Sequence, residues 1–171
     1  GGDDFGETFG LCVSDRCGSD NCLTAQHMLP GIPYCWDTDG AGGESFPADP
    51  GYEECGDGSD PGASVYFEFD TDSCGQVQLI VEGTIGGSCL LGVATDGVSM
   101  AIYQDDTPCD WVPDALLDCE EQDKCEGTVW NFTRTYVGLP PLTTYIVQID
   151  GFDFTGDDRG TIMIQYPPCT V

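Results

Sequence analysis

Residues 142–166, L-T-T-Y-I-V-Q-I-D-G-F-D-F-T-G-D-D-R-G-T-I-M-I-Q-Y, decide the reading of the fold. Tyr145, Val147 and Ile149 fall on one side of an extended chain, and Thr144, Ile146 and Gln148 on the other. Beyond a Gly/Asp-rich connection, Thr161, Met163 and Gln165 alternate against Ile162, Ile164 and Tyr166. Period two, β-branched residues and a Gly-Asp loop predict a β-hairpin with a long loop. Both strands are apolar enough to lie inside a pair of sheets, so the remaining segments must supply the covering sheet.

Working outward, residues 65–69 (V-Y-F-E-F) place Val65, Phe67 and Phe69 together, and residues 76–82 (Q-V-Q-L-I-V-E) place Val77, Leu79 and Val81 together. Residues 89–95 and 98–104 read as a further pair around Asp96-Gly97, a dipeptide suited to a tight hairpin turn. Residues 128–137 (T-V-W-N-F-T-R-T-Y-V) read as one long strand. About seven strands with turns between them predict an all-β, antiparallel β-sandwich. Residues 21–171 form a single sandwich domain, with long disulfide-tied loops at 30–61 and 105–127. Trp36, Phe46 and Tyr52 stand as isolated apolar anchors in the first loop, and residues 113–119 read as a helical turn in the second. Residues 21–29 suit either a strand or one to two helical turns. Residues 1–20 are an extended N-terminal arm with one short alternation, Phe9, Leu11 and Val13. Such an arm can be a flexible tail, a first strand, or a strand lent to another molecule.

Charge and cysteine narrow the setting. Against 31 Asp and Glu the chain holds only Arg16, Arg134, Arg159 and Lys124, a formal net charge of -27. Self-repulsion of that size opposes compactness, and bound cations, salt or covalent staples would relieve it. Nucleic acid and anionic membranes are poor partners for such a chain, because both are bound through basic clusters, and no nucleic-acid partner is expected. No apolar run approaches a membrane span, so membrane insertion is not expected. The eleven cysteines are Cys12, Cys17, Cys22, Cys35, Cys55, Cys74, Cys89, Cys109, Cys119, Cys125 and Cys169. They spread along the chain without a C-x-x-C pair, which predicts disulfides in an oxidising compartment over zinc. Their number is odd, so one thiol is left free or bonded elsewhere. The start, Gly1-Gly2-Asp3-Asp4, reads as a processed mature end.

Calcium is the ligand best matched to this composition, since it takes six to eight oxygens from carboxylates and loop carbonyls. The candidate ligands are Asp37 and Asp39, Asp57 and Asp60, Asp70 and Asp72, Asp105 and Asp106, and Asp153 with Asp157 and Asp158. None of these clusters completes an EF-hand loop. Asn131-Phe132-Thr133 is a glycosylation sequon, usable if Asn131 points to solvent while Trp130 and Phe132 turn inward. Trp36, Trp111, Trp130, Tyr52 and Tyr103 are available either as core or as sugar-stacking faces. His27 is the only histidine, and no nucleophile motif accompanies it, which argues against a hydrolase.

A series of short motifs runs in a particular order: Asn21-Cys22 with Ala25 and Leu29, Cys55-Gly56, S-V-Y-F-E-F at 64–69, G-Q-V-Q-L-I-V at 75–81, M-A-I-Y at 100–103 and Cys109. Leu142, T-Y-I-V-Q-I-D-G-F at 144–152 and Gly160 complete it. Over residues 20–166 this order resembles the bacterial pre-peptidase C-terminal-like domains, extracellular jelly-roll modules distantly like CUB domains. The resemblance implies a non-catalytic jelly roll used for binding, secretion or assembly. More cysteines and acids than the pattern has set this chain apart, and it is expected to stand alone rather than as an enzyme's accessory. The expectation is therefore a secreted structural or adhesive protein, at the cell surface or beyond it, that associates with copies of itself as a fibre. Phe9, Leu11 and Val13 would be lent to the next subunit. The alternative is a calcium-dependent carbohydrate-binding module whose partners are glycans.

Overall fold

The fold was described from a computed structural model, which describes residues 17–38, 41, 63–85, 97–104, 116–123, 129–151 and 158–169. Among the described residues one 3-10 turn at Cys22–Thr24 precedes nine strands. These are β1 (Gln26–His27), β2 (Tyr34–Asp37), β3 (Ala63–Asp70), β4 (Val77–Thr84) and β5 (Gly97–Gln104). They are followed by β6 (Leu116–Asp123), β7 (Val129–Tyr136), β8 (Thr144–Gly151) and β9 (Arg159–Gln165). One sheet has the order β1-β3-β8-β5-β6 and the other β2-β9-β4-β7.

The pairing has a simple logic. β2 pairs with β9, β3 with β8, β4 with β7 and β5 with β6, all antiparallel. Those four pairs are one long antiparallel ribbon, and rolling it up places its strands alternately in two facing sheets. That is the eight-stranded jelly roll. β1 is an addition, two residues running parallel to β3.

The alternation in the sequence builds the core between the sheets. Val65, Phe67 and Phe69 of β3, Val77, Leu79 and Val81 of β4, Tyr145, Val147 and Ile149 of β8, and Ile162 and Ile164 of β9 all lie in one buried cluster. The Phe69 and Tyr145 rings stack there at a centroid distance of 5.7 Å. The outer face of the five-stranded sheet is covered too. Cys22 and Ala25 pack on Tyr66 and Ile146 there, and Leu116 and Cys119 on Ala101 and Tyr103. On the same face Gln148 donates to Ser64, and Ser64 donates to the buried carboxylate of Asp150.

A row of four residues crosses the other sheet. In register, Trp36 of β2 faces Gly160 of β9, Gly160 faces Gly83 of β4, and Gly83 faces Trp130 of β7. Two indoles from opposite edges reach over two glycines and meet edge to face, 5.8 Å apart with the planes at 89°. Gly83 and Gly160 thus sit in strand interiors because the ring needs the space a side chain would fill. Among the described residues neither buried indole N–H has a hydrogen-bond partner, and dispersion and apolar burial hold the pair.

Several expectations are corrected. The strands at 144–151 and 159–165 do not form a hairpin: β8 lies between β3 and β5, and β9 between β2 and β4. The connection between them is long enough to pass between sheets about 10 Å apart, and each strand finds two neighbours there instead of one. β5 pairs with β6 and β8, and residues 89–95, its expected hairpin partner, lie outside the described residues. Residues 116–119, read as helical, belong to β6, because pairing with β5 outweighs local propensity. The two excursions at 30–61 and 105–127 are not wholly loops, since β2 and β6 lie within them. In 21–29 both readings are realised, as the 3-10 turn and β1.

Candidate functional site

The described cysteines are all cross-linked. Cys17 is bonded to Cys35 and Cys74 to Cys169, and Cys22 and Cys119 are disulfide-bonded as well. Cys12, Cys55, Cys89, Cys109 and Cys125 lie outside the described residues, as do Phe9, Leu11 and Val13. The first bridge has a positional consequence. Cys35 is in the edge strand β2, and its Cα is 4.7 Å from that of Cys17, so the root of the N-terminal arm is covalently fixed to that edge. Ser19 then forms an antiparallel bridge with Tyr66, which carries the chain onto β3 of the opposite sheet.

Of the predicted calcium ligands, Asp37, Asp70, Asp72 and Asp158 are described; Asp39, Asp57, Asp60, Asp105, Asp106, Asp153 and Asp157 lie outside the described residues. Two clusters far apart in sequence come together. Asp37 faces Arg159 across the β2–β9 ladder, and the Thr38 N–H donates to the Asp158 carbonyl at 3.0 Å. The Asp158 side chain is buried, and both it and the Thr38 hydroxyl lie against Gly151 at the end of β8. The fit is tight: an added Cβ would stand 2.8 Å from Thr38 Oγ1 and 3.1 Å from Asp158 Oδ2, so either side chain would have to shift.

Asp70 and Asp72 do structural work at the opposite end. Asp70 Oδ1 accepts from the Thr144 hydroxyl at 2.7 Å. Asp72 Oδ1 accepts from the N–H groups of Cys74 and Gln76, closing the turn between β3 and β4. Gly75 completes this turn at φ +67, where L side chains are strained. Asp72, Cys74 and Cys169 bring metal-capable atoms within 4.8 Å of one another, but the two sulfurs are bonded to each other and are not thiolates.

Asn131 is exposed on the outer face of β7 while Trp130 is buried, as the sequon requires. The Asn131 side-chain oxygen Oδ1 accepts from Gly83 N–H at 3.2 Å. Beside it, Ile80, Glu82 and Thr133 border a shallow depression of about 300 Å³. Trp36, Trp130 and Tyr103 are buried and offer no face to a sugar; Trp111 and Tyr52 lie outside the described residues. The His27 ring contacts the Glu68 carboxylate at 3.2 Å.

A polar clasp between the sheets was not foreseen. Asp118 and Glu120 of β6 stand opposite Ile102 and Met100 of the core and so point inward. Across the gap, Arg134 of β7 pairs with Glu120, and the Tyr136 hydroxyl donates to Asp118 at 2.7 Å. Burial is the main cause that raises the Tyr136 pKa, with the hydrogen bond to Asp118 next. The folded state therefore holds that proton more tightly than the unfolded chain, and the clasp loses stability as pH rises past the ordinary tyrosine value of about 10. An edge strand carrying inward charges also resists pairing with a stranger. Arg134, the one cation in a long predicted strand, was the available signal, but its partners sit in a segment that read as helix and loop.

No protein-family model matches the chain, and no curated protein does. Among solved structures it is similar to CorA, described as a surface-associated copper-binding protein important in copper acquisition by Methylomicrobium album BG8. That likeness has a TM-score of 0.43 at 6% identity and covers 83% of this chain and 97% of that one. Among the described residues no helix is long and apolar enough to cross a membrane.

Proposed function

We propose that this is an extracellular, non-catalytic structural module that joins copies of itself into a fibre through its N-terminal arm. One observation carries the reading. The nine described strands all lie downstream of the arm, and a disulfide from Cys17 fixes its root to a sheet edge. A strand-like segment tethered at a sheet edge is suited to pairing with another molecule's sheet. Disulfide use and the resemblance to pre-peptidase C-terminal-like modules point to the same extracellular setting. Deletion of residues 1–13 is the test. Electron microscopy and light scattering are expected to show polymers from the full chain and monomers from the truncated one; undiminished assembly would remove strand lending.

Calcium belongs to this reading as a stabiliser, at the end of the sandwich where Asp37, Thr38 and Asp158 meet. What favours it is the convergence of two acid-rich stretches at that one end of a chain with 27 excess negative charges. Melting in calcium and then in chelator is expected to lower the midpoint, because an ion bound only to the folded state stabilises it by mass action. Equal midpoints would exclude calcium.

A further inference from the structure

We propose that Asn131 is an N-glycosylation site of the exported chain, its Nδ2 carrying an oligosaccharide over the outer face of β4 and β7. The inference rests on the extracellular half of the reading above and not on assembly. Three observations meet at this residue. Asn131-Phe132-Thr133 has the asparagine, non-proline, threonine order that the transfer requires. β7 is extended, so Asn131 and Thr133 stand on one face of it, and both are exposed there while Trp130 is buried on the other. The third observation is which end of the amide is presented. Gly83 N–H can only donate, so the atom it meets at 3.2 Å is the acceptor Oδ1. That bond steadies the side chain and leaves Nδ2, the atom that takes the sugar, with no hydrogen bond among the described residues.

The chemistry needs one co-reactant, an oligosaccharide joined through its anomeric carbon to a lipid pyrophosphate. Nδ2 bonds to that carbon, the carbon's bond to the pyrophosphate oxygen breaks, and the lipid pyrophosphate leaves with the electron pair. One Nδ2 proton passes to a base of the transferase, and nothing is oxidised or reduced. The product suits the fold. The sugar is attached at an exposed residue and displaces no core side chain, and Gly83 N–H keeps its acceptor because Oδ1 is not consumed. Beside Asn131, half-buried Ile80 with exposed Glu82 and Thr133 borders the depression of about 300 Å³, where the first sugar ring can cover Ile80. A bulky, hydrated glycan projecting from this face keeps it in solvent, since no flat partner can close over it.

The test is peptide mapping of the chain recovered from the medium of its own cells. Trypsin cuts after Lys124 and Arg134, so after reduction one peptide, residues 125–134, holds the whole sequon. Its mass is expected to be raised by a whole number of sugar residues, with sugar fragments released on collision. Asn131→Gln and Thr133→Val are each expected to abolish that shift, and Thr133→Ser to retain it. Both positions are exposed on β7, and a melt of each variant establishes that it folds. An unmodified peptide 125–134 from exported, disulfide-bonded protein overturns the site and leaves the extracellular reading standing. Sugar that persists in Asn131→Gln sits on a hydroxyl and overturns the site as well. A chain retained inside the cell with its cysteines reduced overturns both.

Discussion

Replacing Gly160 by alanine is expected to cost about 3 kcal/mol, at the upper end of what overpacking a core usually does. At roughly 2–4 °C per kcal/mol for a chain of this size, the melting midpoint would fall by about 10 °C. An added Cβ would run into the carbonyl oxygen of Glu82, and would stand 2.6 Å from the Cα of Gly83 and 2.8 Å from Trp36 Cε2. Two of those three neighbours are backbone of the adjacent strand, which cannot turn aside as a side chain can. Gly83 differs in kind. Its Cβ would collide with Trp36 Cζ2 and stand 2.9 Å from Cη2, atoms of the outer indole ring. Trp36→Leu removes those atoms and leaves a void, at a cost of about 2–4 kcal/mol. In that background the cost of Gly83→Ala should fall sharply, leaving the Arg159 carbonyl oxygen, 3.0 Å from the new Cβ, as its one tight neighbour, while Gly160→Ala should cost almost as much as before. A double-mutant cycle by urea unfolding measures the difference. Equal costs for Gly83→Ala with and without Trp36 would show that the indole does not dictate the glycine row.

That row also marks where the sequence stopped being readable. The alternation of Val65, Phe67 and Phe69, or of Tyr145, Val147 and Ile149, announces its own strand, because inward and outward residues differ chemically. Nothing local announces which strand lies beside it. In a jelly roll the partners are far apart in the chain, so the proximity of 142–151 and 159–166 in sequence suggested a hairpin that the pairing of β8 with β3 and of β9 with β2 replaces. Glycine misled in the same way. Gly83 and Gly160 look like interruptions of strands and are in fact the floor beneath Trp36, a role defined only once β2, β9 and β4 are aligned. The acid clusters show the same limit. Asp37 and Asp158 could each be picked out as a cation ligand, but their adjacency comes from the β2–β9 ladder, and the inward turn of Asp118 and Glu120 comes from β6.

Removing the Cys74–Cys169 bridge by a double serine substitution is expected to be the more damaging loss of the two bridges Cys74–Cys169 and Cys17–Cys35, at about 4.7 kcal/mol. The bridge closes a segment with a sequence separation of 95 that contains β4 through β9, whereas Cys17–Cys35 has a separation of 18. On the chain-entropy account the cost grows with the logarithm of loop length, so losing Cys17–Cys35 should cost less, about 3 kcal/mol. The native side of the balance is well supported. Cys74 sits in a turn held by Asp72 and by the Leu139 N–H donating to the Gly75 carbonyl, so the turn does not need the bridge for its shape. The loss should therefore be felt mainly in the unfolded chain, which gains freedom. Charge adds a second contribution of the same sign. With a net charge of -27, a cross-link forces like charges of the unfolded chain closer together and raises its energy further. Screening weakens that contribution at high ionic strength. Urea unfolding of C74S/C169S at low and at high salt should therefore show the larger destabilisation at low salt. A cost independent of both loop length and salt would mean that the bridge acts through native contacts instead.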